Sequence, residues 1–199
     1  MSEGIFPATA MPDPEWWEIL WPRPREVLAR FGIDPRMEVV DLCCGDGLFT
    51  AALCDMARYV FAVDLDPGML DVASARMSAA GMTNCDFIAG DAYEIARLVP
   101  RPVDLVLIAN TFHGVPDKAR LARAVAGILS PGGRFIVVNW HRRPREETTV
   151  LGQPRGPRTE MRMTPESVAS EVAPAGLRPA HVVELPPYHY GAIFEKSTI

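Results

Sequence analysis

The chain has 199 residues, 48% apolar and 23% charged, with a net charge of −5. That balance suits one folded domain around a single well-buried core and excludes wholesale disorder. The acidic charge argues against a chain built mainly to grip a phosphate backbone, and the predominance of Arg over Lys, found only at Lys118 and Lys196, reads as compositional bias.

No basic start followed by an apolar stretch stands in residues 1–14, so no signal peptide is expected. No apolar run reaches the roughly 18 residues that a membrane span requires. Cys43, Cys44, Cys54 and Cys85 have no paired C-x-x-C spacing, which fits reduced thiols and predicts a cytoplasmic protein.

In chain order, Trp16, Trp17 and Trp21 surround a Pro-punctuated helix within residues 1–34, which reads as an N-terminal helical cap. Apolar runs rich in Val, Ile and Leu follow at Glu38–Leu42, Tyr59–Leu65, Asp86–Ala89, Val103–Ala109 and Arg134–Trp140. Amphipathic stretches alternate with them, so residues 37–140 predict a parallel sheet covered on both faces. Asp66-Pro67-Gly68 predicts a helix start and Gly81 its stop; Pro116-Asp117 opens another helix running to Leu129. Ser130-Pro131-Gly132-Gly133 reads as a tight turn into the fifth strand.

Residues 142–162 hold six arginines with Pro and Gly and no clear period. They read as a solvated loop, or as a lid that draws an anionic ligand through guanidinium forks. In residues 164–199, Thr164-Pro165 starts a helix and Gly176 ends it. Two strands then follow, His181–Leu185 and Tyr190–Phe194, joined by a link too short for a helical crossover, so they pair antiparallel.

The sharpest motif is Val39-Val40-Asp41-Leu42-Cys43-Cys44-Gly45-Asp46-Gly47, which closes the first strand and opens a helix at Leu48. Glycines at Gly45 and Gly47 let a ligand approach the main chain, and the helix start offers backbone N–H groups. Carboxylates at Asp41 and Asp46 would repel a pyrophosphate and favour a cationic ligand. The third glycine of the dinucleotide fingerprint is Thr50 here. Asp64, at the end of the second strand, is placed to accept both hydroxyls of a ribose, because Asp66 already serves as the helix cap.

These residues resemble the class I S-adenosylmethionine (SAM)-dependent methyltransferases, of the small-molecule kind that includes the ubiquinone and menaquinone C-methyltransferases. The resemblance runs from about Met37 to Trp140. It implies an α/β, Rossmann-like fold: a seven-stranded, mostly parallel sheet with helices on both faces and an antiparallel last strand. It assigns the cofactor to Asp41, Cys43, Gly45, Gly47, Leu65 and Asn110 and the ribose to Asp64. Gly90-Asp91-Ala92 resembles the motif whose acid binds the adenine amino group, and Asn110-Thr111-Phe112-His113 stands at the end of the fourth strand, at the transfer site. One residue departs from the pattern: Cys43 replaces the first glycine, which suits a backbone that does not need a positive φ.

The expected activity is methyl transfer from SAM to a small-molecule acceptor by in-line displacement, releasing S-adenosylhomocysteine (SAH). His113 is the candidate base. His141 and His189 are weaker candidates, and Tyr188 and Tyr190 could line an acceptor pocket. No zinc spacing is present, and no metal is expected. The tandem Cys43-Cys44 reads as small apolar filler. Nucleic acid is not expected as a substrate, because Leu185-Pro186-Pro187-Tyr188 resembles an amino-methylating motif only far from its proper place. The three N-terminal tryptophans predict a cover over the cofactor, an anchor on the core, or a homodimer contact. Two other readings stay open: a SAM-fold binding protein without turnover, and a nicotinamide-dependent Rossmann enzyme.

Overall fold

The computed structural model describes Phe6 and residues 9–198; the reading of residues 1–5, 7 and 8 lies outside them. Two short helices, α1 (Pro14–Leu20) and α2 (Pro24–Ala29), precede β1 (Glu38–Leu42), α3 (Leu48–Cys54), β2 (Tyr59–Asp64), α4 (Pro67–Ala79) and β3 (Cys85–Ala89). Next come α5 (Ile95–Leu98), β4 (Val103–Ala109), α6 (Lys118–Ile128) and β5 (Leu129–Trp140). A small hairpin of β6 (Thr149–Val150) and β7 (Gln153–Pro154) leads to α7 (Pro165–Val172), β8 (Leu177–Leu185) and β9 (His189–Lys196).

Seven strands form one sheet in the order β3-β2-β1-β4-β5-β9-β8. The first five are parallel, and β9, last in the chain, runs antiparallel between β5 and β8. The winding reverses between β1 and β4, so the crevice of this sheet lies at their carboxyl ends.

Side-chain alternation along the strands divides the core in two. Val40, Leu42, Val106, Ile108 and Phe135 face Ile95, Leu121, Val125, Val168 and Val172 of α5, α6 and α7. Their neighbours Val39, Leu105, Leu107, Ile136 and Val138 face Trp16, Trp17, Leu28, Phe49 and Leu53 of α1, α2 and α3. Both faces are therefore covered, as the near-continuous apolar strands require.

Helix starts follow the expected chemistry. Asp66 accepts from Gly68 N, Asp117 from Arg120 N and Thr164 from Ser167 N, each satisfying a donor that the first turn leaves open. The Pro-punctuated segment forms two helices rather than one. Pro22 restricts Trp21 and Pro24 restarts the chain as the first residue of α2. The Ser130–Gly133 turn lies inside β5 as a bulge: Val103 pairs with Leu129, and Leu105 pairs already with Arg134.

The arginine-rich segment is an ordered unit, not a solvated loop. Arg162, 3% exposed, donates from Nε to Pro157 O, from Nη1 to Arg143 O, and from Nη2 to Thr148 Oγ1 and Arg155 O. A buried guanidinium tied to carbonyls and a hydroxyl folds the hairpin around itself. Its charge also lies 5.1 Å over the Trp140 ring.

Candidate functional site

A cavity of about 680 Å3 opens over the carboxyl ends of β1, β2 and β4, within the range of small-ligand pockets, about 300–1,000 Å3. Of the sequence-predicted residues, Asp41, Cys43, Gly45, Asp64, Leu65, Asp91, Ala92, Asn110 and His113 all line it. Gly47 does not.

At the end of β1 the chain turns sharply: Cys43 N and Cys44 N both donate to Val63 O, at 2.7 and 3.1 Å. Cys43 adopts φ +60°, so the condition under which a cysteine replaces glycine here without cost is not met. A side chain at this φ carries strain that a glycine would avoid. Asn110, at the matching end of β4, also has a positive φ of 59°, which asparagine tolerates well.

The two glycines do different work. A Cβ on Gly45 would meet the Met11 sulfur at 2.8 Å, a flexible side chain that reaches over the loop. A Cβ on Gly47 would meet Ala73 Cβ of α4 at 2.8 Å, at a φ of +77°. Gly47 thus packs against α4 at the start of α3, outside the cavity wall.

The carboxylates separate as well. Asp64 Oδ2 accepts from Gly45 N at 2.8 Å and its Oδ1 from Asp66 N at 3.0 Å, which fixes the acid against the glycine loop. Asp91 accepts from Tyr93 N at 2.9 Å and stands exposed at the next strand end. Asp46 is turned away from the expected role. It caps Leu48 N and pairs with Arg76 of α4 at 2.8 Å, so its charge is compensated.

Asp41 lies within β1, 2% exposed, and accepts from Thr50 Oγ1 at 2.6 Å. Burial pushes its pKa up to about 7, against the Thr50 bond and with help from Asp64 and Asp46. The folded protein therefore holds this proton more tightly than the unfolded chain, and stability is lost as pH rises from about 4 to about 7, at up to about 1.4 kcal/mol per pH unit. Asp41→Asn is expected to match wild type in urea unfolding at pH 4.5 and to exceed it at pH 8, both without SAM. Parallel curves at the two pH values would contradict the buried-acid reading.

Asn110 supplies the clearest mark of a missing partner. Its Nδ2 and Oδ1 are both buried, and among the described residues neither has a hydrogen-bond partner, although its backbone N–H reaches Val138 O at 2.8 Å. An amide left open at a strand end beside a cavity is suited to a polar ligand group. His113 follows in a single 3-10 turn, 6% exposed, with Nδ1 3.4 Å from Asn139 Oδ1 of β5.

The other candidates do not reach the site. His141 Nε2 is 2.9 Å from Glu184 Oε2. His189 is buried between Trp21 and Trp140, at 4.5 and 4.2 Å between ring centres, where burial drives its pKa well down. Tyr188 and Tyr190 donate to Thr149 O and Met163 O and pack rather than line the cavity.

Several lining residues carried no sequence signal, or only part of one. Met11 and Phe6 come from the N-terminal segment, and nothing in their spacing announces them. Trp16, Trp17 and Trp21 are 8%, 5% and 3% exposed. They anchor α1 within this chain, and Trp16 and Trp17 also wall the cavity, so these indoles are not a dimer surface. Trp140 at the end of β5, with Arg145, Arg155, Gly156 and Arg158 from the arginine segment, completes the far wall.

Among the described residues, no helix is long and apolar enough to cross a membrane, and no group of three or more His, Cys, Asp or Glu is placed to hold a metal ion.

Residues 39–133 match the model of a methyltransferase domain. Over 138 residues the chain is 28% identical to a ubiquinone biosynthesis O-methyltransferase of Xanthomonas campestris, covering 65% of this chain and 57% of that protein. Over 99 residues it is 32% identical to a protein of the same name from Xylella fastidiosa, covering 50% of this chain and 40% of that one. The chain thus spans about half the length of these curated relatives. Its fold matches that of a SAM-dependent methyltransferase from Aquifex aeolicus, with a TM-score of 0.76, 23% identity, and 92% and 93% of the two chains covered.

Proposed function

We propose that this chain, whose residues 39–133 match a methyltransferase domain, is a class I SAM-dependent methyltransferase and transfers a methyl group from SAM to a small-molecule acceptor. The observation that carries the reading is the open Asn110 amide in a cavity shared with Asp64 and Asp91. The donor set fits the cofactor: carboxylates without phosphate-binding cations at one end, and a glycine-lined backbone at Gly45.

SAM supplies an activated methyl on a cationic sulfur. The chain's part is to bind and orient. Asp64 would accept the ribose hydroxyls, and Asp91 with Ala92 would receive the adenine. Gly45 and Cys43 would lie along the amino-acid portion, and Asn110 would offer its amide where the acceptor meets the methyl. Holding the acceptor atom about 3–3.5 Å from the methyl, in line with the departing sulfur, is most of the catalysis required. His113 would take the proton when the acceptor is a hydroxyl, with its ring steadied by Asn139. The relatives named as O-methyltransferases support such an acceptor.

Thermal-shift titration with SAM, SAH and NAD tests the cofactor. Ligand at 100-fold over its dissociation constant adds about 2.7 kcal/mol, and only the two adenosyl-sulfur ligands are expected to do so. Stabilisation by NAD instead would remove the reading. For the base, His113→Gln is expected to lower kcat about 100-fold on a hydroxyl acceptor, with SAM affinity kept. An unchanged rate would reduce His113 to a wall residue.

A further inference from the structure

The cavity is electrically two-ended. Its acidic end carries Asp64 and Asp91, and the opposite wall carries Arg145, Arg155 and Arg158. Among the described residues none of these three arginines forms an ion pair with a carboxylate: the acids nearest in sequence, Glu146, Glu147 and Glu160, are all exposed and take part in no salt bridge. The cofactor's sulfonium and ammonium account for the acidic end. Its single carboxylate can engage at most one of the three guanidinium groups at the other.

Arg155 is the most constrained of the three. Its guanidinium carbon lies 5.2 Å from the centre of the Trp16 ring, and its Nε is buried without an acceptor. A buried donor of a charged group left unmade is costly, and the cavity is where an acceptor can reach it. Arg145 Nε is already spent on Gly156 O at 3.0 Å, which orients that side chain along the same wall. The hairpin that carries them is fixed from behind by Arg162, so the cations are held rather than free to wander into solvent.

The wall beside Arg155 is aromatic, and Trp16 supplies it. Trp140 backs the hairpin from behind: Gly156 lies so close that a Cβ would meet its ring at 2.7 Å, and Arg162 and His189 cover it further. Flat π surfaces favour a planar, unsaturated ligand over a saturated one. Guanidinium forks match a carboxylate's two oxygens.

We infer that the arginine hairpin and the Trp16 indole form an acceptor subsite for an aromatic carboxylic acid, with Arg155 as its specificity-determining contact. This rests on the methyltransferase reading and deepens it. The carboxylate would meet Arg155 and the ring would lie along the Trp16 wall, which leaves the substituent to be methylated directed toward Asn110 and His113.

Calorimetry on the full chain saturated with SAH tests the subsite, using benzoate, benzamide, cyclohexanecarboxylate and phenyl phosphate as probes. Benzoate is expected to bind at least tenfold more tightly than benzamide and than cyclohexanecarboxylate. Arg155→Met should erase the preference for benzoate over benzamide, and Arg142→Met, an exposed position outside the cavity, should retain it. Equal binding of benzoate and benzamide, no binding of any probe, or an unaltered preference in Arg155→Met would overturn the inference. Tighter binding of phenyl phosphate than of benzoate would overturn the carboxylate assignment. SAH affinity is measured first and separately. Its absence would sink the methyltransferase reading itself, whereas SAH binding without benzoate preference would sink only the subsite.

Discussion

Asp64→Ala is expected to weaken SAM binding by about 100- to 1,000-fold, a loss of about 2.7–4.1 kcal/mol. Two losses contribute. On the proposed reading the acid receives two ribose hydroxyls, and hydrogen bonds to a charged group are worth about 1.5–3 kcal/mol each. It also holds Gly45 N and Asp66 N from its two oxygens, so its removal loosens the loop on which the cofactor rests. Calorimetric titration with SAM checks this directly. Asp64→Asn separates the parts, because it keeps an acceptor for Gly45 N and gives up the charge. Wild-type affinity in Asp64→Ala would remove the ribose assignment altogether.

Gly47→Ala is expected to damage the fold rather than the cofactor site. A left-handed backbone costs a residue with a Cβ about 1–2 kcal/mol, and forced overlap in a packed contact about 1–3 more. The new methyl would sit 2.8 Å from Ala73 Cβ and 3.1 Å from Ala73 Cα, and helix backbone cannot step aside as a side chain can. A loss of about 2–5 kcal/mol is a large share of an ordinary domain's stability, and Tm should fall by at least about 5 °C. Gly45→Ala is the contrast: its backbone is left-handed too, at φ +54°, but there the methyl meets only the flexible Met11 thioether, so Tm should move less and SAM affinity more. Equal thermal stability of Gly47→Ala and wild type would refute the packing role.

The parts of the fold written in local chemistry were legible before any coordinates. The strand runs, the caps at Asp66, Asp117 and Thr164 and the short link before β9 each rest on neighbours in sequence, and the structure keeps them. The cavity wall was legible where motifs end strands, as at Asp64, Asp91 and Asn110. Contacts that cross the fold were not. Asp46 looked like part of a repulsive pair, because nothing local shows that Arg76 arrives from α4. The packing of Gly47 was hidden, because Ala73 lies on a different helix. The arginine segment looked irregular, since its order comes from one buried guanidinium reaching four groups between Arg143 and Pro157. Met11 and Phe6 are brought over the cavity by tertiary packing alone.

Cys43 and Cys44 stand beside this cavity, and their environment bears on self-protection. A methyl on a sulfonium is an electrophile, and a thiolate is among the strongest biological nucleophiles. An ionised cysteine beside the bound cofactor would compete with the acceptor for the methyl and inactivate its own enzyme. Burial raises both thiol pKa values far above the usual range, and the Asp64 and Asp41 charges raise them further. Both thiols are therefore held toward the protonated, less nucleophilic form. With SAM bound, the negative field suited to a cationic methyl donor would also disfavour the thiolates that could take its methyl.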